Sequence, residues 1–166
     1  MTCSDPDSLV LDLDGVLALR ARTAQQGLRL VLTNGCFDIL HRGHISYLHA
    51  SASLGDLLVV AVNSDTSVRT LKGPTRPIHH ESDRAYSLAS LRCVDAVFIF
   101  EGPRLDREIS LLRPDVYTKA GDYTPETLDP TEKAALDACG TAIRILPFVA
   151  GHSTTSILER SHCQPT

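Results

Sequence analysis

The chain lacks the features that mark membrane-spanning, disulfide-linked and nucleic-acid-binding proteins. No apolar run approaches the roughly 20 residues that span a bilayer, and no signal peptide is visible. The five cysteines are odd in number and form no C-x-x-C pair. A net charge of −4 argues against a nucleic-acid partner, because phosphate backbones need a basic face. We therefore expect a cytoplasmic protein with reduced thiols and with neither a membrane nor a nucleic acid as partner.

The remaining composition is that of an ordinary globular domain. The chain has 166 residues, of which 43% are hydrophobic and 22% charged, with no internal repeat or low-complexity tract. These values predict one domain over residues 1–166. Residues 1–8 are expected to be flexible, and residues 12–26 to form a helix that Asp12 caps and Gly27 ends.

Strand and helix patterns alternate along the rest of the chain. Apolar runs predict strands at 28–32, 57–62, 96–100, 116–119 and 142–146. Helical patterns fall at 45–53, 81–91, 104–112, 131–139 and 157–160, whereas 68–80 has the composition of a loop. This order predicts an α/β fold, a Rossmann-like doubly wound sheet of five mainly parallel strands with helices on both faces.

Polar and glycine residues concentrate where these strands end, at 34–44, 63–65, 119–123 and 148–155. Ligands of such sheets bind beyond the carboxyl ends of the strands. At the first of these places a strand passes through a glycine-bearing turn into His41-Arg-Gly-His44, where a helix begins. Backbone N–H groups, the positive helix end and two imidazoles together suit a phosphate. Helix capping or simple exposure would also explain the histidines, and zinc would lack a third ligand nearby.

The segment Gly35-Cys-Phe-Asp-Ile-Leu-His-Arg-Gly-His44 resembles the G-x-F-D-x-x-H-x-G-H signature of nucleotidyltransferases that carry an H-x-G-H motif. More narrowly, several blocks are similar to D-glycero-β-D-manno-heptose 1-phosphate adenylyltransferases, the adenylyltransferase part of ADP-heptose synthases. These blocks are Thr33 to Asp38, Val62 to Asp65, Leu71 to Pro77, Lys119 to Tyr123 and Ser153 to Thr155. The resemblance runs from about Asp12 to Arg160.

The resemblance implies an ATP-dependent enzyme that makes ADP-heptose and pyrophosphate. It implies catalytic roles for His41, His44 and Lys72. The residues implied to bind the nucleotide are Asn34, Gly35, Cys36, Phe37, His41, His44, Arg84, Lys119, Gly121, Asp122, Ser153, Thr154 and Thr155. Those implied to bind the acceptor sugar phosphate are Asp38, Asn63, Asp65, Lys72 and Arg76. Mg²⁺ is expected to bind mainly through nucleotide phosphates, with no protein ligand named, and a homodimer is left open.

Two departures from the family pattern bear on the substrate. Related cytidylyltransferases have an arginine several residues before the Ser-Thr-Thr block, whereas residues 148–152 here read Phe-Val-Ala-Gly-His. This weakens a cytidylyltransferase interpretation and leaves His152 as a substitute cation. Ala120 replaces the first glycine of a Lys-Gly-Gly-Asp block, and its methyl group is expected to narrow the nucleotide pocket.

Other functions are also compatible with motifs in the sequence. A cytidylyltransferase acting on glycerol 3-phosphate, or an FMN adenylyltransferase, would use the same motif. The segment Leu9-Val-Leu-Asp-Leu-Asp-Gly-Val16 looks like the nucleophile motif of haloacid-dehalogenase-type phosphatases, with Asp12 as nucleophile and Asp14 as acid or base. That alternative leaves His41 and His44 unexplained. A nucleotide sensor without catalysis is a third hypothesis, and no residue in the sequence specifically favours it.

Overall fold

Five mostly apolar segments form the strands of one parallel sheet. The computed structural model describes residues 5–121, 123–124, 126–147, 151, 154 and 157–158. The strands are β1 Leu30–Gly35, β2 Leu57–Asn63, β3 Ala96–Phe100, β4 Val116–Ala120 and β5 Ala142–Leu146. The α-helices are α1 Leu13–Gln25, α2 Arg42–Ala52, α3 Asp65–Lys72, α4 Glu81–Ala89, α5 Asp106–Leu112 and α6 Pro130–Cys139.

The strand order is β3-β2-β1-β4-β5, and every neighbouring pair is parallel. One apolar cluster packs α1, α5 and α6 against one face of the sheet, and a second packs α2 and α4 against the other. The predicted Rossmann-like α/β fold with helices on both faces is therefore confirmed. None of the helices in the described part of the chain is long and apolar enough to cross a bilayer.

The strand order reverses between β1 and β4, and this reversal creates the crevice. Their pairing ends at Thr33 and Thr118, although both strands continue for two more residues. Beyond that pair the two strands no longer bond to each other. In open α/β sheets this switch point is where ligands bind.

A buried hydroxyl cluster fixes α2 against this switch point. Thr33 Oγ1 lies 2.7 Å from the hydroxyl of Tyr47, which donates to Thr118 Oγ1 at 3.0 Å. Ser51 Oγ lies 3.0 Å from the same Thr118 atom. Because Tyr47 and Ser51 belong to α2, these bonds set the direction in which the first turn of that helix points.

The N-terminal segment differs from the expectation of a flexible end. Residues Pro6–Leu9 form a short 3-10 helix that the Asp5 side chain caps. Val10 then pairs with Val97, and the Leu11 N–H donates to the Val97 carbonyl, so the segment covers the edge of β3. The predicted helix follows as α1, with the Asp12 carboxylate accepting the Gly15 N–H at 2.8 Å.

Two further boundaries differ from the sequence prediction. The strand predicted at 28–32 lies at Leu30–Gly35, because its polar last residues continue the ladder with β2. Part of the predicted loop at 68–80 is the helix α3, which Ser64 caps by accepting the Ser67 N–H and which Gly73 ends at φ +95°. The helix predicted at 157–160 extends outside the described residues.

Candidate active site

A cleft of about 380 Å³ opens at the carboxyl ends of β1, β2 and β4. Eleven predicted site residues line it: Asn34, Gly35, Cys36, Phe37, Asp38, His44, Asn63, Lys72, Arg76, Lys119 and Thr154. Ala120, at the first glycine position of the family block, lines it as well. The sheet thus brings together residues that lie far apart in the chain.

The two histidines stand at the first turn of α2. His41 is its N-cap, and its Nδ1 accepts the His44 backbone N–H at 3.4 Å. The neutral His41 ring must then carry its proton on Nε2. The two imidazoles stack with centroids 3.8 Å apart, and Phe37 meets His44 edge-on at 5.3 Å. His44 lines the cleft, whereas His41 is not among the lining residues and stacks on His44.

Burial determines the electrostatics of His44. Its pKa is lowered to about 4, mainly by loss of water contact and further by the charges of His41 and Lys72. The backbone of Ile39 acts in the opposite direction. Among the described residues, no hydrogen bond is formed by Nδ1 of His44, which is buried. In the free protein His44 is therefore a neutral ring with an unmatched polar atom, as a ligand-binding group can be.

Lys72 and Arg76 reach the cleft from the segment after β2. Lys72 is the last residue of α3. Arg76 forms an ion pair with Asp38, whose carboxylate also accepts the N–H groups of Ile78 at 2.7 Å and His79 at 3.1 Å. Burial alone would raise the pKa of Asp38, but these hydrogen bonds and Arg76 lower it overall. Asp38 therefore anchors the loop that carries Arg76.

Lys119 lies on the floor of the crevice between β1 and β4. Its Nζ donates to Asn34 Oδ1 at 2.6 Å and lies 5.7 Å and 5.6 Å from the ring centroids of Tyr117 and Tyr123. Burial lowers the pKa of Lys119, while the Glu132 carboxylate acts in the opposite direction. The Tyr117 hydroxyl donates to the same Asn34 oxygen at 2.8 Å, so the Asn34 amide is fixed with its oxygen towards both donors.

Two predicted ligand contacts do not fit the structure. Arg84 is 2% exposed, and its guanidinium is bonded to protein acceptors rather than turned towards the cleft. Asp65 pairs with Arg84 at 2.8 Å and with His80 at 3.4 Å, and it does not line the cleft. Arg84 and Asp65 were predicted to contact a ligand because the sequence alone does not show which distant segments pack against them.

Two other predicted site residues, Asn63 and Gly121, form hydrogen bonds within the protein. Asn63 lines the cleft, but its Nδ2 donates to Ser67 Oγ at 2.9 Å. Gly121 follows β4 at φ +95°, and its N–H donates to the Leu146 carbonyl. Asp122, His152, Ser153 and Thr155 lie outside the described residues.

The cleft has further lining residues that were not predicted as site residues: Tyr47, Leu71, Pro103, Arg104, Tyr123, Leu128, Asp129 and Glu132. Asp129 caps α6 and pairs with Arg104 at 2.7 Å. Glu132 is 4% exposed and accepts the Leu105 N–H at 3.0 Å. The pattern Asp129-Pro-Thr-Glu132 resembles a capping box and was the available signal, but it predicts that Glu132 bonds within its own helix.

The phosphatase alternative finds no support in this geometry. Its proposed nucleophile, Asp12, is the cap of α1 and does not line the cleft. Helix α1 packs instead against α5 and β3. A carboxylate that holds a helix end and lies outside the cleft has no substrate to attack there.

A family model described as cytidylyltransferase-like matches residues 32–160. The chain belongs to the cytidylyltransferase-like family. This membership confirms the class predicted from the H-x-G-H signature, a nucleotidyltransferase. The match covers every strand of the sheet apart from the first two residues of β1.

Curated relatives of this cytidylyltransferase-like chain include two proteins named bifunctional protein HldE. The one from Geotalea uraniireducens is 46% identical over 94% of the chain, and the one from Syntrophotalea carbinolica is 47% identical over 82% of the chain. The matched segments amount to 31% and 27% of those proteins. The chain therefore spans about a third of the length of these relatives.

Two solved structures are similar to the chain. A lipopolysaccharide core biosynthesis protein from Thermoplasma volcanium is similar with a TM-score of 0.61 and 31% identity, covering 74% of this chain and 98% of that one. A pantoate-beta-alanine ligase from Francisella tularensis has a TM-score of 0.56 at 14% identity, covering 93% of this chain and 77% of that one. The second likeness shows the fold alone.

Proposed function

We propose that the chain transfers AMP from ATP to D-glycero-β-D-manno-heptose 1-phosphate, giving ADP-heptose and pyrophosphate. The observation that carries the proposal is the charge pattern of the cleft. Arg76 and Arg104 line the cleft but pair with Asp38 and Asp129, and the third carboxylate, Glu132, is 4% exposed. Lys72 and Lys119 form no ion pair within the described residues, so they bring two further cations to the cleft. Such a cleft favours ligands with several negative charges, as a nucleoside triphosphate and a sugar phosphate have.

The reaction needs one bond to form and one to break. A phosphate oxygen of the sugar 1-phosphate attacks the α-phosphorus of ATP in line and forms the new P–O bond. The bond from the α-phosphorus to the bridging oxygen breaks, and pyrophosphate leaves with the electron pair. The attacking phosphate is already ionised at neutral pH, so the step needs positioning and charge stabilisation rather than a general base.

His41 and His44 would stabilise the negative charge that develops around the α-phosphorus. His41 would donate from Nε2, since Nδ1 accepts the helix N–H. His44 faces the cleft beside Lys72, and a bound triphosphate would favour its protonated form over the neutral form of the free protein. Lys72 would bind the phosphates that leave as pyrophosphate.

The other nucleotide contacts follow the elements around the crevice. Backbone groups of Gly35, Cys36 and Phe37 would face the nucleotide, and Thr154, with Ser153 and Thr155, would bind phosphate oxygens. Asn34, Lys119, Gly121 and Asp122 would contact the ribose or the base. On the acceptor side, Arg76 and Asn63 would bind the sugar phosphate, with Asp38 holding Arg76 in place.

The donor set fits a magnesium ion that arrives with the nucleotide. Within the described residues, no group of three or more His, Cys, Asp or Glu side chains is placed to hold a metal. We expect phosphate oxygens and water to be its main ligands, as is usual for Mg²⁺ bound beside a nucleotide. When bound, the ion would neutralise the charge that accumulates on the pyrophosphate.

Similarity supports the heptose acceptor and ATP. The chain carries the sequence blocks of the heptose branch, and the relatives named HldE match it over most of its length. The similar Thermoplasma protein belongs to lipopolysaccharide core biosynthesis, a process that consumes activated sugars. The cytidylyltransferase-like family model keeps CTP with glycerol 3-phosphate as the second candidate.

A pyrophosphate-release screen tests this assignment. ATP and CTP are each combined with heptose 1-phosphate, glycerol 3-phosphate and FMN, with inorganic phosphate release measured in parallel. We expect turnover with ATP and heptose 1-phosphate. Turnover with CTP and glycerol 3-phosphate alone would overturn the substrates and leave the class, whereas no pyrophosphate from any pair would favour the sensor hypothesis.

A further inference from the structure

Arg84 is a buried cation that none of the steps above uses. It has the largest of the fully buried side chains. Nε donates to the His79 carbonyl at 3.1 Å, Nη1 to the Cys36 carbonyl at 2.6 Å, and Nη2 to the Asn63 carbonyl at 2.8 Å. Nη2 also pairs with the Asp65 carboxylate at 2.8 Å.

These four acceptors come from three separate stretches of the chain, one of which carries both Asn63 and Asp65. Cys36 lies in the turn after β1, Asn63 ends β2, Asp65 begins α3, and His79 precedes α4. Only a planar group with several N–H donors can bond to all of them at once. Removal of the guanidinium would leave the carbonyls of Cys36, Asn63 and His79 without this donor.

The Cys36 carbonyl matters most, because the next residue is strained. Phe37 has φ +45°, a left-handed conformation that a bulky residue rarely adopts. Its ring is 6% exposed, and a side chain at Gly35 would come within 3.0 Å of it. The same ring meets His44 edge-on at 5.3 Å and an angle of 68°. A continuous path of contacts therefore leads from the guanidinium to the imidazole.

We propose that Arg84 is a positioning residue for the His41–His44 pair, acting through the Cys36 carbonyl and the Phe37 ring. The inference rests on the proposed function only for its effect on catalysis. By fixing the Cys36–Phe37 peptide, Arg84 keeps the Phe37 ring against His44 and keeps His44 stacked on His41. A small displacement of reacting groups can cost about a hundredfold in rate.

A purely structural role would lower stability without changing the surroundings of His44. The groups that face His44 are His41 from its own turn, Lys72 from α3, the Phe37 ring and the Ile39 backbone. Arg84 is not among those that shift the pKa of His44. A change in that pKa on replacement of Arg84 would therefore report movement of the turn rather than loss of a nearby charge.

The test is a titration of histidine-labelled protein by NMR, in the wild type and in Arg84→Lys. Lysine keeps the charge but cannot bond to all four acceptors. We expect the pKa of His44 to rise from about 4 towards the ordinary 6.5 as its ring becomes hydrated. Phe37→Leu, which leaves Arg84 in place, should produce a rise in the same direction. Arg22→Lys, the same change at an exposed position on α1, is the matched control and should leave the pKa of His44 unchanged.

Turnover supplies the second readout. Arg84→Lys should lower kcat by about tenfold to a hundredfold while KM for ATP changes less. In Arg84→Ala, added guanidinium at concentrations that do not denature the protein should restore part of the lost rate. If Arg84→Lys does not fold, Arg84→Gln takes its place in both experiments.

Failure of this inference and failure of the proposed function look different. A folded Arg84→Lys or Arg84→Gln protein in which His44 titrates as in the wild type overturns the positioning role. An unchanged pKa of His44 in Phe37→Leu overturns the proposed path. Absence of pyrophosphate release from the wild type, together with the expected shifts, would reject the proposed function and leave the positioning of His44 by Arg84 intact.

Discussion

At the scale of single residues, His41 combines a structural contact with the chemistry proposed for it. Its Nδ1 accepts a backbone N–H in the first turn of α2, and the opposite nitrogen then carries the proton of the neutral ring. Asparagine is one of the best N-cap residues, so it can cap α2 without supplying the Nε2 donor. The two roles can therefore be separated by one substitution.

We expect His41→Asn to keep the stability of the wild type and to lose activity. The shorter amide side chain uses its oxygen to cap the helix and does not present a donor where Nε2 of the imidazole stands. The value of kcat should therefore fall by about 10²-fold or more, the usual effect of losing one charge-stabilising donor. Thermal melts and pyrophosphate release measure the two effects. Activity close to that of the wild type would show that His41 acts only as a helix cap.

His44 makes stability depend on pH in a defined window. Its pKa is about 4 in the folded protein and ordinarily 6.5, so the unfolded chain takes up the proton first as the pH falls. The free energy of unfolding should therefore decrease as the pH falls from about 6.5 to 4. Denaturant titrations across this range, compared with His44→Gln, isolate the effect. An identical slope in both proteins would contradict the buried, neutral state of His44.

At the scale of elements, the contact between α2 and the switch point depends on a hydroxyl cluster rather than on apolar packing alone. The Tyr47 hydroxyl bonds to both Thr33 and Thr118, which are fully buried. These two threonines form the last pair of the β1–β4 ladder. The cluster therefore couples the direction of α2 to the point at which the crevice opens.

Tyr47→Phe should destabilise the protein by about 1–3 kcal/mol, because the buried threonine hydroxyls lose a shared partner. Tyr86→Phe is the control, since Tyr86 is 45% exposed on α4. Chemical denaturation of both variants gives the difference in the free energy of unfolding. Equal stability of the two variants would mean that the cluster contributes nothing to the attachment of α2.

Helix α1 provides a test of the rival phosphatase chemistry. Asparagine in place of Asp12 can still cap the helix, so Asp12→Asn should leave both stability and pyrophosphate release unchanged. A phosphatase that used Asp12 as its nucleophile would lose turnover completely. Pyrophosphate and inorganic phosphate are measured in the same reaction, and loss of phosphate release by this variant would contradict the proposed function.

At the scale of the whole molecule, the order of the elements was predictable because it depends on local patterns. Strands β3 and β5 lie at the predicted residues, since each is a short apolar run between polar turns. The strand β1 was placed too early because Thr33, Asn34 and Gly35 look like a turn. They remain in the strand because Val60, Ala61 and Val62 of β2 pair with them.

The candidate site was predictable where one segment carries it and not where distant segments meet. The turn that carries His41 and His44 could be identified from its residue types alone. Buried Arg84 is held by hydrogen bonds to the carbonyls of Cys36, Asn63 and His79. Glu132, which lines the cleft, is held by the N–H of Leu105. No local pattern encodes these contacts, because they exist only once the sheet has been formed.

The most direct test of the account is ³¹P NMR of a reaction with ATP and D-glycero-β-D-manno-heptose 1-phosphate. We expect the two coupled signals of a sugar nucleoside diphosphate, with one pyrophosphate for each product molecule, and neither in the His41→Ala, His44→Ala double variant. Formation of inorganic phosphate from the sugar phosphate, or equal product from the double variant, would contradict the claim that this histidine pair carries out nucleotidyl transfer.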